Sequence, residues 1–376
     1  MFDRFLPHMP YAPSVPAEAR FLAQALARRP LSLEGVDEAA LCRLASAEGL
    51  GPWLSREMAA RGLPVPGPLA RMGYAVLAQN LVIRAALEDL DRAFSGSGLQ
   101  VLVHKGAALA FSAYPDPGLR PMEDADLMVR RKDAGRLAGV LSGLGYSPQP
   151  RAPHLFFSAR LRLDVHTHLL DAERVPARRL LTPRGMGPVW EEARPLGPGF
   201  ESLKTPSPAD EVLNLALHAL KHSMSRLVWL LDLDLLLSGR DKAFFEELAS
   251  RAAYMGQEKA LALAVWMAAR VFGRDHSSLA ARLPCPGTLE TSVLDLRARG
   301  RSMGLLGEIL LASCIPGWGG RLALFAGAVF PHRDPGPGGR SGPTARALRL
   351  AVSGGLAVRE AARLVFALVS RSFSSP

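Results

Sequence analysis

Apolar residues recur at intervals of three and four along the N-terminal part of the chain, the period of an amphipathic helix. The pattern predicts helices over 18–26, 37–48 and 52–61, and a longer one from near Pro68 to Phe94. The long helix carries an apolar stripe typical of a core-facing surface: Leu69, Met72, Val76, Leu77, Leu81, Leu87, Leu90 and Phe94. We expect residues 1–95 to form a helical layer that packs against the segment after residue 95.

The pattern changes to short strands after this layer. Apolar runs at Val101–Val103 and Leu127–Val129 indicate buried strands, and 154–158 indicates another. The run 161–169 alternates apolar with polar residues, which predicts a strand with one apolar and one polar face: Leu161, Leu163 and Val165 against Arg162, Asp164 and His166.

Helical periodicity returns at Ser207, where a serine cap, Pro208 and two acidic residues mark a helix start. We predict an α+β fold: a small mixed β-sheet core with an N-terminal helical layer and a C-terminal helical domain. The predicted division is 1–95 N-terminal helices, 96–170 core, 171–206 connection, 207–331 helical domain, 332–344 linker and 345–376 C-terminal helix.

Composition narrows the class of protein. With 48% hydrophobic and 21% charged residues, it is typical of a soluble globular protein. The 45 basic and 35 acidic residues give a net charge of +10, a balance compatible with nucleic acid or an anionic surface. Arginines make up 39 of the 45 basic residues, an excess that coding from a GC-rich genome explains. They are also scattered rather than interleaved with aromatic residues, so we expect no nucleic acid partner.

The cysteines and apolar segments indicate the compartment. Cys42, Cys285 and Cys314 lie far apart without paired spacing, which favours a reducing environment and argues against a zinc site. The N-terminus lacks the apolar core of a signal peptide. The apolar segment 304–330 is interrupted by charged and glycine residues, so we expect no membrane span and predict a cytoplasmic protein.

A strand, a glycine turn and a helix start succeed one another at 101–110. Free backbone N–H groups and the helix dipole make such a turn suitable for a phosphate, with Lys105 and Gly106 in the turn and Arg120 further along as a second positive charge. His104 precedes the turn and is a further candidate phosphate contact, although an ordinary strand-end histidine fits equally well.

Two carboxylates lie beyond the turn. Asp124 and Asp126 are two residues apart ahead of an apolar run, so both face the same side of a strand. Like charges side by side are costly unless a cation lies between them. Together with the basic turn, the pair predicts a divalent metal that holds a polyphosphate.

These motifs, Lys105-Gly106, Arg120-Pro-Met and Asp124-x-Asp126, resemble those of an uncharacterised bacterial nucleotidyltransferase-like family, a branch of the DNA polymerase beta type nucleotidyltransferase superfamily. The resemblance extends from about Ala39 to about Asp232. The chain departs from the superfamily pattern at the turn, where Lys-Gly-Ala replaces a Gly-Ser whose hydroxyl contacts the nucleotide phosphates.

The resemblance implies metal-dependent transfer of a nucleoside monophosphate from an NTP, by default ATP, to a hydroxyl-bearing acceptor. Asp124 and Asp126 would bind two Mg²⁺ or Mn²⁺ ions, and Asp164 would be the third metal-site carboxylate and a base or orienting group. Lys105, Gly106 and Arg120 would neutralise the triphosphate. The alternative for Asp164 is a structural ion pair with Arg162 or another arginine.

Several further polar residues are candidates for an acceptor pocket. His166 shares a strand face with Asp164, whereas His168 is expected at the surface. His218 and His222 are four apart on a predicted helix, with Asp232 beyond them, and all three could line the acceptor or nucleotide pocket. Packing of the histidines in a helical core explains the same spacing.

The sequence leaves two other functions open. The first is a catalytically inactive nucleotidyltransferase-like scaffold or antitoxin-like binding protein, which the altered Gly-Ser turn favours. The second is an RNA-modifying nucleotidyltransferase, which the basic charge favours. Neither the acceptor, the base of the NTP nor the oligomeric state has a recognisable code in the sequence.

Overall fold

The computed structural model of the chain describes residues 16–329 apart from 151, 171, 173–174, 299–302 and 304. The start of the chain, the predicted linker 332–344 and the predicted helix 345–376 lie outside the described residues.

Helices precede, flank and succeed one sheet. The helices are α1 (Ala17–Leu26), α2 (Glu38–Ala47), α3 (Gly51–Ala60), α4 (Gly67–Ser97), α5 (Gly106–Ser112), α6 (Ala134–Gly143), α7 (Gly187–Glu191), α8 (Pro208–Lys221), α9 (Leu227–Leu237), α10 (Lys242–Met255), α11 (Glu258–Phe272), α12 (Ser277–Ala280), α13 (Thr288–Ala298), α14 (Leu305–Ser313) and α15 (Trp318–Val329). The strands are β1 (Val101–His104), β2 (Ala125–Val129), β3 (Ser147–Gln149), β4 (Ala152–Phe157), β5 (Arg162–His166), β6 (Arg194–Pro195) and β7 (Leu203–Thr205). The α+β prediction is confirmed.

The sheet has the strand order β3-β4-β5-β2-β1-β7-β6 and is mixed. β2 is antiparallel to β1 and parallel to β5, and β1 is parallel to β7. The predicted connection 171–206 contributes β6 and β7, which the sequence did not indicate because strands of two and three residues are too short for a periodic pattern. The same connection contains the short helix α7.

The two faces of the sheet bury different cores. Because side chains alternate across a strand, neighbouring residues of β1 and β2 enter opposite layers. One face packs against the second half of α4 and against α6, with these residues buried together: Ile83, Leu87, Leu90, Phe94, Val101, Val103, Leu127, Val129, Leu137, Leu141 and Leu163. The opposite face, with Leu102 and Met128, joins the larger core of the N-terminal and C-terminal helices.

Helix α4 departs from the predicted apolar stripe at one turn. Leu81 is 53% exposed, and the buried position beside it belongs to Asn80. The Asn80 amide donates hydrogen bonds to the carbonyl oxygens of Pro117 (2.6 Å) and Arg120 (2.9 Å). The buried position is therefore occupied by a polar residue, Asn80, whose amide fixes the loop that precedes β2.

Asp91, further along α4, holds the start of β7. Its carboxylate is buried and accepts hydrogen bonds from the backbone N–H groups of Glu201 (3.1 Å), Ser202 (2.9 Å) and Leu203 (2.6 Å). These amides lie at the start of β7, so Asp91 holds this strand in place beside β1.

Among the described residues, no helix combines the length and apolar character that crossing a lipid bilayer requires.

We predict that Asp91→Ala lowers the free energy of unfolding by at least about 2 kcal/mol, because hydrogen bonds to a charged group contribute about 1.5–3 kcal/mol each. Urea denaturation measures the loss. Asp89→Ala on the same helix is the control: Asp89 makes exposed ion pairs with Arg92 and Arg160, which are worth at most about 1 kcal/mol. Equal losses in the two variants would contradict the role of Asp91.

Candidate active site

Strand β2 brings the candidate carboxylates together. Asp126 lies opposite His104 of β1 on one side and opposite Asp164 of β5 on the other. Because β2 and β5 are parallel and in register at this pair, both carboxylates project from the same face of the sheet. The alternation predicted for β5 is therefore observed, with the polar face turned towards the C-terminal helices.

Asp126, Asp164 and His166 form a compact group of possible metal ligands. One ligand atom from each residue lies within 4.8 Å of the others. His166 Nε2 is 3.1 Å from Asp164 Oδ2 and 3.6 Å from Asp126 Oδ1. The second Asp164 oxygen is buried and accepts no hydrogen bond from the described residues. Two carboxylates, one of them with a buried oxygen that lacks a hydrogen-bond donor among the described residues, and an imidazole form a donor set that fits a divalent cation.

Lys105 neutralises the central carboxylate. Its ammonium lies 2.5 Å from Asp126 Oδ1, and both side chains are largely buried. Burial alone would raise the pKa of the Asp126 carboxyl, but the Lys105 charge and the neighbouring His166 hold that pKa well below its usual range. Asp126 is therefore an anion at neutral pH, and its counter-ion is the Lys105 ammonium.

Asp124 has a different partner. It precedes β2, remains partly exposed, and accepts a hydrogen bond from Arg162 Nη2 at 2.8 Å. Burial and the charge of Asp126 raise the pKa of Asp124, although Arg162 opposes this shift. Arg162 thus pairs with Asp124. The sequence had suggested it as a structural partner for Asp164.

The turn between β1 and α5 is strained at Lys105, which has a φ of 56° although it is not a glycine. Its backbone N–H donates to Glu211 Oε1 at 2.7 Å, so this amide is directed at α8. Gly106 comes next and is buried, with Met122 and the Arg120 guanidinium 3.4 and 3.6 Å from where a side chain would begin. The fold thus holds the turn from behind, through α8.

Helix α8 presents a row of buried polar residues to this turn. Glu211, Asn214 and His218 recur at intervals of three and four and are each at most 8% exposed. Asn214 Nδ2 is 3.2 Å from His104 Nδ1. Burial raises the pKa of Glu211 to about 7, although the hydrogen bond and charge of Lys105 act in the opposite direction. His104 is thus fully buried behind the turn, beneath α8.

His218 and His222 belong to an aromatic cluster. Their ring centroids are 4.6 Å apart and lie 4.9 and 5.2 Å from Trp229. Burial, followed by the positive charge of Lys105, lowers the pKa of His218 well below its ordinary value, so its imidazole is neutral. His218 therefore lies near the carboxylate group, and His222 contacts His218 through ring packing.

Arg120 and Asp232 form an ion pair with each other. Arg120 donates from Nε to Oδ1 (2.8 Å) and from Nη2 to Oδ2 (2.7 Å), and Tyr114 donates to the same carboxylate at 2.7 Å. Arg120 is 5% exposed and Asp232 is 0% exposed. These two predicted ligand-binding residues thus form an internal ion pair that joins the loop before β2 to α9.

One prediction about the histidines is wrong. His168, expected at the surface, is buried: its Nε2 lies 3.0 Å from Thr182 Oγ1, and its Nδ1 accepts a hydrogen bond from the Leu170 N–H. The chain leaves β5 at His166 and turns inward, so strand alternation no longer applies two residues later.

Sequence reasoning missed three residues near the carboxylates. His154 on β4 stacks beside His166 with ring centroids 6.3 Å apart. The sequence marks Glu211 only as an acidic residue at a helix start, and no motif points to Asn214. The available signal was the spacing of Glu211, Asn214 and His218 in an otherwise apolar helix, which marks a second, polar face.

A family model described as an uncharacterised nucleotidyltransferase matches residues 34–273, well over half of the chain. The match includes the carboxylate group, the turn, α8 and α9. Searches of curated proteins and of solved structures returned no match.

We predict that the free energy of unfolding falls as the pH rises from about 4.5 towards 7. In this range the unfolded chain loses the Glu211 proton while the folded chain retains it, because burial raises the folded-state pKa to about 7. The full loss above pH 7 is about 3 kcal/mol. Urea denaturation across this range should show it as the difference between wild type and Glu211→Gln, which keeps the acceptor for the Lys105 amide. Parallel curves for the two proteins would contradict this account.

We also predict that Asp232→Ala costs about 3–5 kcal/mol of stability, because it leaves the buried Arg120 charge without its partner. The double variant Arg120→Met/Asp232→Leu removes both charges and should cost less than the single variant. Urea denaturation of the two variants compares these losses. A double variant less stable than Asp232→Ala would argue against an ion pair whose main role is internal.

Proposed function

We propose that this chain, which belongs to the uncharacterised nucleotidyltransferase family, transfers a nucleoside monophosphate from an NTP to a hydroxyl-bearing acceptor with the help of Mg²⁺ or Mn²⁺. The observation that supports the proposal most strongly is the convergence of Asp126, Asp164 and His166 within 4.8 Å on adjacent strands. ATP is the donor to test first.

Asp126, Asp164 and His166 would hold the cation, with Asp124 beside them as a further carboxylate. Carboxylate oxygens are ligands that suit both Mg²⁺ and Mn²⁺, so both ions are candidates. When bound, a divalent cation supplies positive charge against the negative charge that develops on the reacting phosphate and the leaving pyrophosphate.

The chain's own groups position the reactants and move one proton. The acceptor oxygen forms a bond to the α-phosphorus while the bond from that phosphorus to pyrophosphate breaks. The buried Asp164 Oδ1, which has no hydrogen-bond donor among the described residues, takes the proton of the acceptor hydroxyl. Lys105 moves its ammonium from Asp126 to the triphosphate when the nucleotide and cation bind.

The Lys105–Asp126 ion pair also favours a second candidate, a nucleotidyltransferase-like scaffold without chemistry. In this alternative the ammonium permanently occupies the position of a cation, and the Lys105 amide is committed to Glu211. The two candidates differ in what a divalent cation does: a transferase requires it for nucleotide binding, whereas the scaffold does not respond to it.

We predict metal-dependent binding of a non-hydrolysable ATP analogue that is lost in Asp126→Asn and in Asp164→Asn. Each substitution removes one anionic ligand, so the affinity measured by titration calorimetry with Mg²⁺ should fall at least tenfold, or about 1.4 kcal/mol. Glu34→Gln removes an exposed carboxylate outside the site and should leave the affinity unchanged.

Calorimetry of the wild-type protein with GTP, CTP and UTP analogues identifies the preferred base. Wild-type protein that binds none of the four nucleotides with Mg²⁺ or Mn²⁺ would favour the scaffold. Wild-type affinity retained in both aspartate variants would exclude this carboxylate group as the metal site.

A further inference from the structure

A cavity of about 330 Å³ lies in the C-terminal helical region, formed by one side of α11 and the chain from Arg274 to Pro286. We call it the C-terminal pocket. None of the residues that line it belongs to the carboxylate group or to the turn at Lys105. Its walls are mainly apolar, with these side chains facing it: Ala262, Val265, Trp266, Ala269, Ala280 and Leu283. Its volume is at the lower end of the range for small-molecule sites.

A few charged or polar groups interrupt the apolar wall, and two of them are guanidinium groups. The charged and titratable lining residues other than Cys285 are Arg270, Arg274, His276 and Asp275. Asp275 is exposed and its carboxylate accepts a hydrogen bond from the Ser277 N–H at 2.8 Å. Arg270 lies 3.5 Å from Asp295. The pocket thus combines an apolar body with two guanidinium groups and an imidazole.

His276 has an unused polar atom in this wall. The residue is 6% exposed, and its Nε2 makes no hydrogen bond with the described residues. The nearest carboxylate oxygen, on Asp234, is 3.7 Å away, beyond hydrogen-bonding distance. A buried ring nitrogen without a partner costs free energy unless a ligand or water satisfies it.

Arg274 provides a second unused group. Its Nε donates to the buried Asp234 through long hydrogen bonds of 3.3 and 3.4 Å, and its side chain is 28% exposed. No described residue accepts a hydrogen bond from its two terminal nitrogens. These nitrogens present the planar donor pair that binds carboxylates and similar oxyanions.

We propose that the C-terminal pocket binds a small amphiphilic monoanion: an aromatic or branched apolar body that lies against Trp266 and the alanines, with a carboxylate or sulfonate at Arg274 and His276. The apolar volume selects the body, and the two unused polar groups select the charged end. This site is separate from the proposed transferase chemistry and does not rest on it.

The experiment uses the full chain with 1-naphthoate and its uncharged analogue 1-naphthamide, each titrated by calorimetry. We expect saturable one-to-one binding of the carboxylate and at least tenfold weaker binding of the amide. The exposed thiol of Cys285 lines the pocket, so bound 1-naphthoate should also slow its reaction with a disulfide reagent. Cys285→Ser identifies which thiol gives that signal.

Three variants test the location. Ala269→Leu fills the cavity and leaves every ion pair intact, and Arg274→Gln removes the guanidinium; each should weaken 1-naphthoate at least tenfold. Arg282→Gln is the matched control, since Arg282 has the same side-chain exposure of 28%, pairs with Glu246 and does not line the pocket. It should bind like wild type.

The proposal is overturned if the wild-type protein shows no saturable binding of 1-naphthoate, or if it binds 1-naphthoate and 1-naphthamide with equal affinity. Binding that Ala269→Leu leaves unchanged overturns the location. If Arg274→Gln fails to fold because Asp234 loses its partner, Ala269→Leu and the amide still decide the question.

Discussion

The buried negative charge of Asp126 is the constraint on which the centre of this structure depends. A carboxylate in this position between two strands must have a counter-charge, and the chain provides it from the adjacent turn through Lys105. To reach Asp126, Lys105 takes a left-handed backbone conformation that costs free energy in a residue with a side chain. The backbone N–H of Lys105 donates a hydrogen bond to Glu211, which ties the turn to α8.

Two further buried carboxylates join separate parts of the chain in the same way. Asp232 binds the loop before β2 to α9 through Arg120 and Tyr114, and Asp91 binds β7 to α4 through backbone amides. Burial of such groups is unfavourable without partners, so each arrangement tolerates little displacement. These contacts hold the loop that leads into the central strand β2 and hold β7 on the other side of β1 from β2.

Local patterns predicted the parts of the fold that depend on local geometry. Alternation along β5 placed Asp164 and His166 on one polar face, and the apolar run after Asp126 indicated the strand β2 that carries this carboxylate. Asp124, expected on the same strand face, instead precedes β2 and pairs with Arg162. The apolar run before Lys105-Gly106 and the helix-forming residues after it located the turn, and the family resemblance supplied the function to test.

Partners distant in sequence could not be predicted in this way. Arg120 meets Asp232 and Glu211 meets Lys105 across more than a hundred residues, and nothing in the local sequence distinguishes an arginine that binds phosphate from one that binds a buried aspartate. His168 was placed wrongly for a related reason: the strand ends at His166, and the residues beyond it adopt positions set by tertiary packing rather than by alternation. The C-terminal pocket depends on a loop returning to α11, which no periodicity indicates.

Helix α4 extends along the sheet for 31 residues and makes polar contacts near both ends of its buried half. Asn80 holds the loop that leads into the carboxylate strand, and Asp91 holds β7. Amide hydrogen exchange reports opening events of this kind as cooperative units. Because one continuous helix carries both contacts, its local unfolding would release the loop and the far strand together, and the amides of β7 and of the segment before β2 would share one opening free energy.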